Sequence, residues 1–156
     1  MKNLHILVAG LLLFIATLGA CEKDKDDAKA EPSDYDISLL EAVNAHRVEI
    51  GLIPLQHNDF LWGLANGHSK YMAGQNAIAT STGLEERITK IKQTLGLGAV
   101  AEIVAVGKGS ASEVVESWLG SISLKEKVEG NYNITGLSAV KGSDGNWYFT
   151  EIFYNQ

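Results

Sequence analysis

The sequence has little of what locks or breaks a chain: one cysteine and two prolines in 156 residues. A single cysteine excludes an intramolecular disulfide and any zinc cage built on cysteines. Positive charge is also short, with 13 Lys and Arg against 19 Asp and Glu and a formal net charge of −6. That balance excludes the basic footprint that nucleic-acid binding requires, so no nucleic-acid partner is expected. The apolar stretch 6–20 carries no charge. As a helix it would reach roughly 22 Å, short of the ~30 Å hydrocarbon core of a bilayer. Neither G-x-S-x-G nor H-E-x-x-H occurs, and the length suits one domain.

What is present starts at the N-terminus. Lys2, the short apolar run and the small residues that end it describe a secretory signal over residues 1–20. The run closes on Leu18-Gly19-Ala20-Cys21, which resembles a bacterial lipobox. The resemblance implies that Cys21 becomes the lipidated first residue and that the protein is held to a membrane through that lipid. The alternatives are an ordinary signal with a chance cysteine, or a buried core helix. With Cys21 committed to lipid, no thiol nucleophile remains. Residues 22–36 hold three lysines against seven acids and almost no large apolar side chain. They cannot bury enough surface to offset ordering entropy and read as an acidic flexible tether spanning 21–36. An acidic run directly after the cysteine is also similar to the surface-export signal of some Gram-negative lipoproteins. The expected location is the cell envelope, anchored to a bacterial membrane, with the outer membrane and its surface as the favoured site.

From residue 37 the composition becomes that of a folded domain, 37–156. Asp34 or Asp36 can cap a helix over 37–50 that ends at Gly51, with Leu39, Val43, His46 and Ile50 on one stripe. Pro54 makes 52–55 an extended connector. Asn58 can cap a second helix running to Gln75, with Leu61, Leu64, Ala65, His68 and Met72 on one face. A third follows Thr82-Gly83, with Leu84, Ile88, Ile91 and Leu95 inward and Glu85, Glu86, Arg87, Lys90 and Lys92 mostly outward. The run 99–106 is β-prone and interrupted by one charge, Glu102. Ser110-x-x-Glu113 forms a capping box for a helix through Leu119, and 121–131 reads as a polar loop with a short helical turn. Two strands, 134–140 and 147–154, close the chain around the hairpin signal Gly142-Ser143-Asp144-Gly145-Asn146. Helices first and strands later predict an α+β layered domain.

These residues, in this order, resemble the CAP superfamily (SCP domain) in its bacterial form. Val43-Asn44-Ala45-His46-Arg47 followed by Gly51-Leu52-Ile53-Pro54-Leu55 is similar to the family's N-x-x-R…GL-x-PL. Asn58…Leu61…Ala65…His68-Ser69…Met72-Ala73 is similar to N-x-x-L…A…HS-x-x-MA. Ala101-Glu102-Ile103-Val104 stands where the family has GEN-I, and Val115…Trp118…Ser121 fits A/V-x-x-W-x-x-S. Ile134-Thr135-Gly136-Leu137 and Trp147-Tyr148-Phe149-Thr150-Glu151-Ile152-Phe153 fit the closing strand pair. The resemblance covers about 39–154 and implies a single-domain α-β-α sandwich with a cleft between the first helical layer and the sheet.

It also implies what is missing. Family members with a complete cleft place two histidines and two acids there, and some hold a divalent metal. Here Thr80 stands for the first histidine, within Ile78-Ala79-Thr80-Ser81, and Leu124 for the second. Glu102 keeps one acid, and Ile134 stands where the other would be sought. One cleft position of four is therefore retained, and neither a cofactor nor a metal is expected.

Glu102 sits in an otherwise apolar strand, where an unpartnered carboxylate is costly. It either faces a cleft or is anchored by backbone amides or Arg47. His68, on an apolar stripe, is either core or cleft lining, and His46 is read in the same way. His46, His68 and Glu102 could meet as a metal site only if two helices and a strand converged. Thr80 and Ser81 join Glu102 and His68 as cleft candidates, with His46 and Arg47 behind them. The aromatic residues of the last strand read as core, although Glu151 shares the side of Trp147, Phe149 and Phe153. Gly96-x-Gly98-x-x-Ala101 lies between helix and strand, the wrong order for a dinucleotide fingerprint. Ser138-x-x-Lys141 lies in a strand rather than at a helix start.

The expected function is a non-enzymatic binding or interaction module at the cell envelope, with a lipid, glycan or protein ligand. The alternative is a hydrolase that uses Glu102 and His68 as its acid–base pair. A purely structural envelope protein is a third reading.

Overall fold

The computed structural model describes residues 30–155. Cys21, the expected signal and most of the expected tether lie outside the described residues.

Helix α1 (Asp34–Glu49) begins three residues before the expected start. Its N-cap is Ser33 rather than either aspartate. The Ser33 hydroxyl accepts the Asp36 amide, and the Asp36 carboxylate accepts the Ser33 amide, closing a capping box. The segment 33–36 therefore belongs to the folded domain and not to a tether. Strand β1 (Gln56–His57), too short for any periodicity, follows the connector. Helix α2 (Asp59–Gln75) is capped by Asn58, whose side chain accepts the Leu61 amide. Helix α3 (Leu84–Leu95), strand β2 (Ala99–Gly107) and helix α4 (Ala111–Leu119), with its Ser110–Glu113 box, stand where the spacing placed them. The turn in the polar loop is a seven-residue helix, α5 (Ile122–Val128). Strands β3 (Ile134–Lys141) and β4 (Trp147–Asn155) form the closing hairpin.

The sheet order is β1-β3-β4-β2, with β1 parallel to β3 and the other pairings antiparallel. The α+β class is as expected. One sheet face carries Ile103, Leu137, Phe149 and Phe153 and packs on Leu39 and Val43 of α1 and on Val115 and Trp118 of α4. The other carries Ile152 and Tyr154, which meet Leu61 and Ala65 of α2 and Ile91 of α3, and Tyr148, which meets Met72. The α2 backbone lies directly on β3 at Gly136, where a Cβ atom would fall 2.0 Å from the Trp62 nitrogen. Only glycine allows that approach.

The Asn44 and Arg47 positions of the first helical motif tie the connector and the α5–β3 loop to α1. Asn44 brackets Leu55, accepting its amide and donating to its carbonyl. Arg47 is fully buried and donates to the carbonyls of Ile53, Val128, Gly130 and Tyr132. The connector, the end of α5 and the α5–β3 loop thus find their buried backbone acceptors satisfied by one guanidinium.

Candidate functional site

Glu102 faces the α2–α3 layer from β2, the edge strand, with its side chain 1% exposed. Its partner is Arg87 of α3, not Arg47. Arg87 Nε donates to Oε2 at 2.6 Å and Nη2 to Oε1 at 2.7 Å, a two-pronged grip. The sequence reading had turned Arg87 outward. It lies three residues after Leu84 and four before Ile91, on the inward stripe, and reaches the sheet because a buried carboxylate waits there.

The same guanidinium holds two further groups. Arg87 Nη1 donates to the Thr82 carbonyl at 2.8 Å and lies 3.2 Å from His68 Nδ1. On the other side of the ring, His68 Nε2 meets the Thr80 carbonyl at 2.6 Å. A carbonyl can only accept, so Nε2 carries the proton and Nδ1 offers its lone pair to Arg87. Burial pushes the His68 pKa down, helped by the Arg87 charge and opposed by the Thr80 hydrogen bond. The ring is thus kept neutral. Glu102 and His68 do come to one place, but Arg87 joins them; among the described residues no hydrogen bond links them directly.

Thr80 contributes its backbone carbonyl, while its hydroxyl turns to Thr82 at 2.9 Å. Ser81 is exposed on the same turn. Beside this turn a groove of about 330 Å³ runs between α2 and α3, over Gly63, Gly67, His68, Tyr71 and Arg87. The Tyr71 ring stacks on His68 with centroids 5.9 Å apart.

The two expected supporting residues lie elsewhere. His46 pairs with Glu129 at 2.8 Å, tying α1 to the end of α5 in the other helical layer. Arg47 holds carbonyls in that layer, as described above. His46 therefore cannot converge with His68 and Glu102, and among the described residues no group of three or more His, Cys, Asp or Glu side chains could hold a metal ion. Leu124 packs against the α1–α4 core, and Ile134 against α2 and α3.

Two buried acids escaped the sequence reading as site residues. Asp36, assigned to the tether and to capping alone, also accepts Trp62 Nε1 at 3.2 Å and the Ala139 amide at 2.7 Å. Glu151 is completely buried among the apolar residues of its face, with no partner for Oε2 among the described residues. Burial pushes its pKa up to about 8, against the lowering pull of the Thr135 hydrogen bond and of Arg47. The Thr135 hydroxyl stands 3.1 Å from Oε1 and 2.9 Å from the Ile152 carbonyl. Its one proton cannot serve both, and a proton on Glu151 supplies the second. The signal was visible in the alternation, which put Glu151 on the side of Phe149 and Phe153.

A family model, CAP, the cysteine-rich secretory protein family, matches residues 40–153. The chain belongs to the CAP family. Among solved structures, the CAP domain is similar to an outer surface protein of Borrelia burgdorferi. That pair has 24% identity and a TM-score of 0.69, over 81% of this chain and 96% of that one. It is also similar to a cysteine-rich secretory protein of Staphylococcus aureus, with 24% identity and a TM-score of 0.64, over 78% of this chain and 38% of the other. An extracellular SCP-domain protein of Bacillus anthracis gives 20% identity and a TM-score of 0.63, over 78% of this chain and 40% of that one. No curated protein matches the chain. The structural likenesses are likenesses of fold, and the CAP sandwich is what they share.

Proposed function

We propose that the protein is a lipid-anchored CAP-domain module of the cell envelope that binds a ligand without transforming it. The observation that carries this reading is the arrangement at Arg87. General acid–base work needs a group free to exchange a proton with substrate. Both Glu102 oxygens are held by Arg87, and both His68 nitrogens are engaged, one by Arg87 and one by the Thr80 carbonyl. Bonds of this kind hold a turn, two helices and an edge strand together. What the site offers outward is the groove beside Tyr71 rather than a reactive group.

The envelope location is supported by the signal pattern and by the likeness to an outer surface protein and to an extracellular protein. The anchor is tested by Cys21→Ser. The variant should leave the membrane fraction for the soluble one, and unchanged membrane association would refute the anchor. The binding role is tested by thermal unfolding of the intact protein against phospholipid vesicles, soluble glycan fragments and envelope protein extracts. A ligand-dependent rise in Tm in one arm is expected. A flat response in all three, with the fold intact, would favour a purely structural role.

A further inference from the structure

Strand β2 ends the sheet on the side opposite β1 and pairs along its whole length with β4. The hairpin bond from the Gly142 amide to the Asn146 carbonyl shows that the even-numbered residues of β4 face β3. Its odd-numbered residues therefore bond to β2, where the register sets them against odd-numbered partners. The backbone groups of Glu102, Val104 and Val106 are left pointing off the edge. Consistent with that, the Glu102 carbonyl accepts Lys127 Nζ from α5 at 2.8 Å. Among the described residues the outward amides and carbonyls of Val104 and Val106 have no hydrogen-bond partner. Beside this stretch, on the face that carries α4, lies a recess of about 320 Å³ between β2, α4 and α5. The apolar part of its lining is the buried Val114, Trp118 and Phe149 and the half-buried Ala105 and Leu124.

We propose that this edge takes an extended segment of a partner protein as a fifth strand, with a large apolar side chain of that segment in the recess. Donors and acceptors repeating at every second residue match another extended backbone. Lys127 guards the edge at Glu102, as lysines commonly do, and leaves the part next to the recess open. A strand laid along Val104 and Val106 turns alternate side chains toward α4, so that its residue opposite Ala105 enters the recess. A second copy of this chain fits poorly. Its own β2 would present Ala101, Ile103 and Ala105 on that face, two of them too short to fill the space and the third fully buried in its own core. The inference goes beyond the reading of Arg87 and does not depend on it, because the recess and Arg87 lie on opposite faces of the sheet.

The test is amide NMR of the intact protein in detergent, titrated with acetyl-Thr-Leu-Thr-Leu-Thr-amide. One control is the same peptide N-methylated at its central threonine, which cannot donate to the edge. The other is acetyl-Thr-Ala-Thr-Ala-Thr-amide, which cannot fill the recess. The leucine peptide should shift Ala105, Val106 and Leu124 saturably. At about ten times its Kd it should slow hydrogen exchange of the Val104 and Val106 amides about tenfold. Each control should bind at least about fivefold more weakly. Ala105→Leu fills the recess from the protein's own strand and should weaken the leucine peptide at least about fivefold, with circular dichroism unchanged. Equal binding of the three peptides, shifts confined to residues away from β2 and the recess, or undiminished binding to a folded Ala105→Leu would overturn the proposal. So would Val104 and Val106 amides that already exchange slowly without peptide, since the edge would then be covered by the chain itself or by a second copy.

Discussion

Arg87 and Glu102 form a buried bidentate ion pair that joins α3 to the edge strand, with contacts of 2.6 and 2.7 Å. Its consequence is a cost asymmetry. Removing either partner leaves a charge buried without compensation, which typically costs about 3–5 kcal/mol, whereas replacing both with apolar residues can be nearly neutral. Arg87→Met and Glu102→Leu should each lower the urea midpoint sharply, and the double variant should recover most of the loss. Single variants within about 0.5 kcal/mol of the parent would show that the pair holds nothing.

Glu151 gives the protein an unusual pH dependence. Its folded-state pKa of about 8 lies above the ordinary value of 4.5. Between those two values the unfolded chain ionises while the folded one keeps its proton, so this group's contribution to stability falls as pH rises. The slope is about 1.4 kcal/mol per pH unit, and the contribution levels off above pH 8. Glu151→Gln keeps the shape and removes the titration. The stability difference, glutamine over glutamate, should grow from pH 5 to pH 8 in urea unfolding series. A difference that does not change with pH would contradict the burial account.

His68 works in the opposite sense. Its pKa is lowered by burial, so below about pH 6.5 the unfolded chain takes up a proton that the folded ring resists. This contribution is present above pH 6.5 and lost on acidification. The His68 ring protons, followed by NMR, should show a midpoint below 6.5. A midpoint at or above that value would mean that the ring is charged and that Nδ1 does not accept from Arg87.

Gly136→Ala inserts a methyl group where the Trp62 and Leu61 backbone already sits, 2.0 and 2.1 Å from the ideal Cβ position. Backbone cannot yield as a flexible side chain can, and overpacking of this kind costs about 1–3 kcal/mol or more. Thermal unfolding should show a marked drop in Tm. Gly63→Ala on the outer face of α2, with nothing within 4 Å, is the control and should be neutral or stabilising.

Much of the fold was legible because its signals are local. Asn58, the Ser110–Glu113 box and the 142–146 hairpin each fix an element boundary through neighbouring atoms. The site was legible in part. Glu102 stood out as a charge in an apolar strand and His68 as an imidazole on an apolar stripe, and they do come together. Arg87 did not stand out, because a long cationic side chain in a charged helix reads as solvent-facing until its carboxylate partner is placed. Asp36 was hidden for a similar reason: its value lies in Trp62 and Ala139, 26 and 103 residues away. Strand β1 exists only through its pairing with β3, which no two-residue pattern can announce.

On the proposed function, Glu102 and His68 hold the fold together and do no chemistry. The most direct measurement is turnover of a fluorogenic peptide, a nitrophenyl ester and a nitrophenyl glycoside by the intact protein and by Glu102→Gln, with folding checked by circular dichroism. Rates equal to the protein-free blank for both chains are predicted. Turnover by the parent that falls about a hundredfold or more in a folded Glu102→Gln would contradict the claim and make Glu102 an acid–base catalyst.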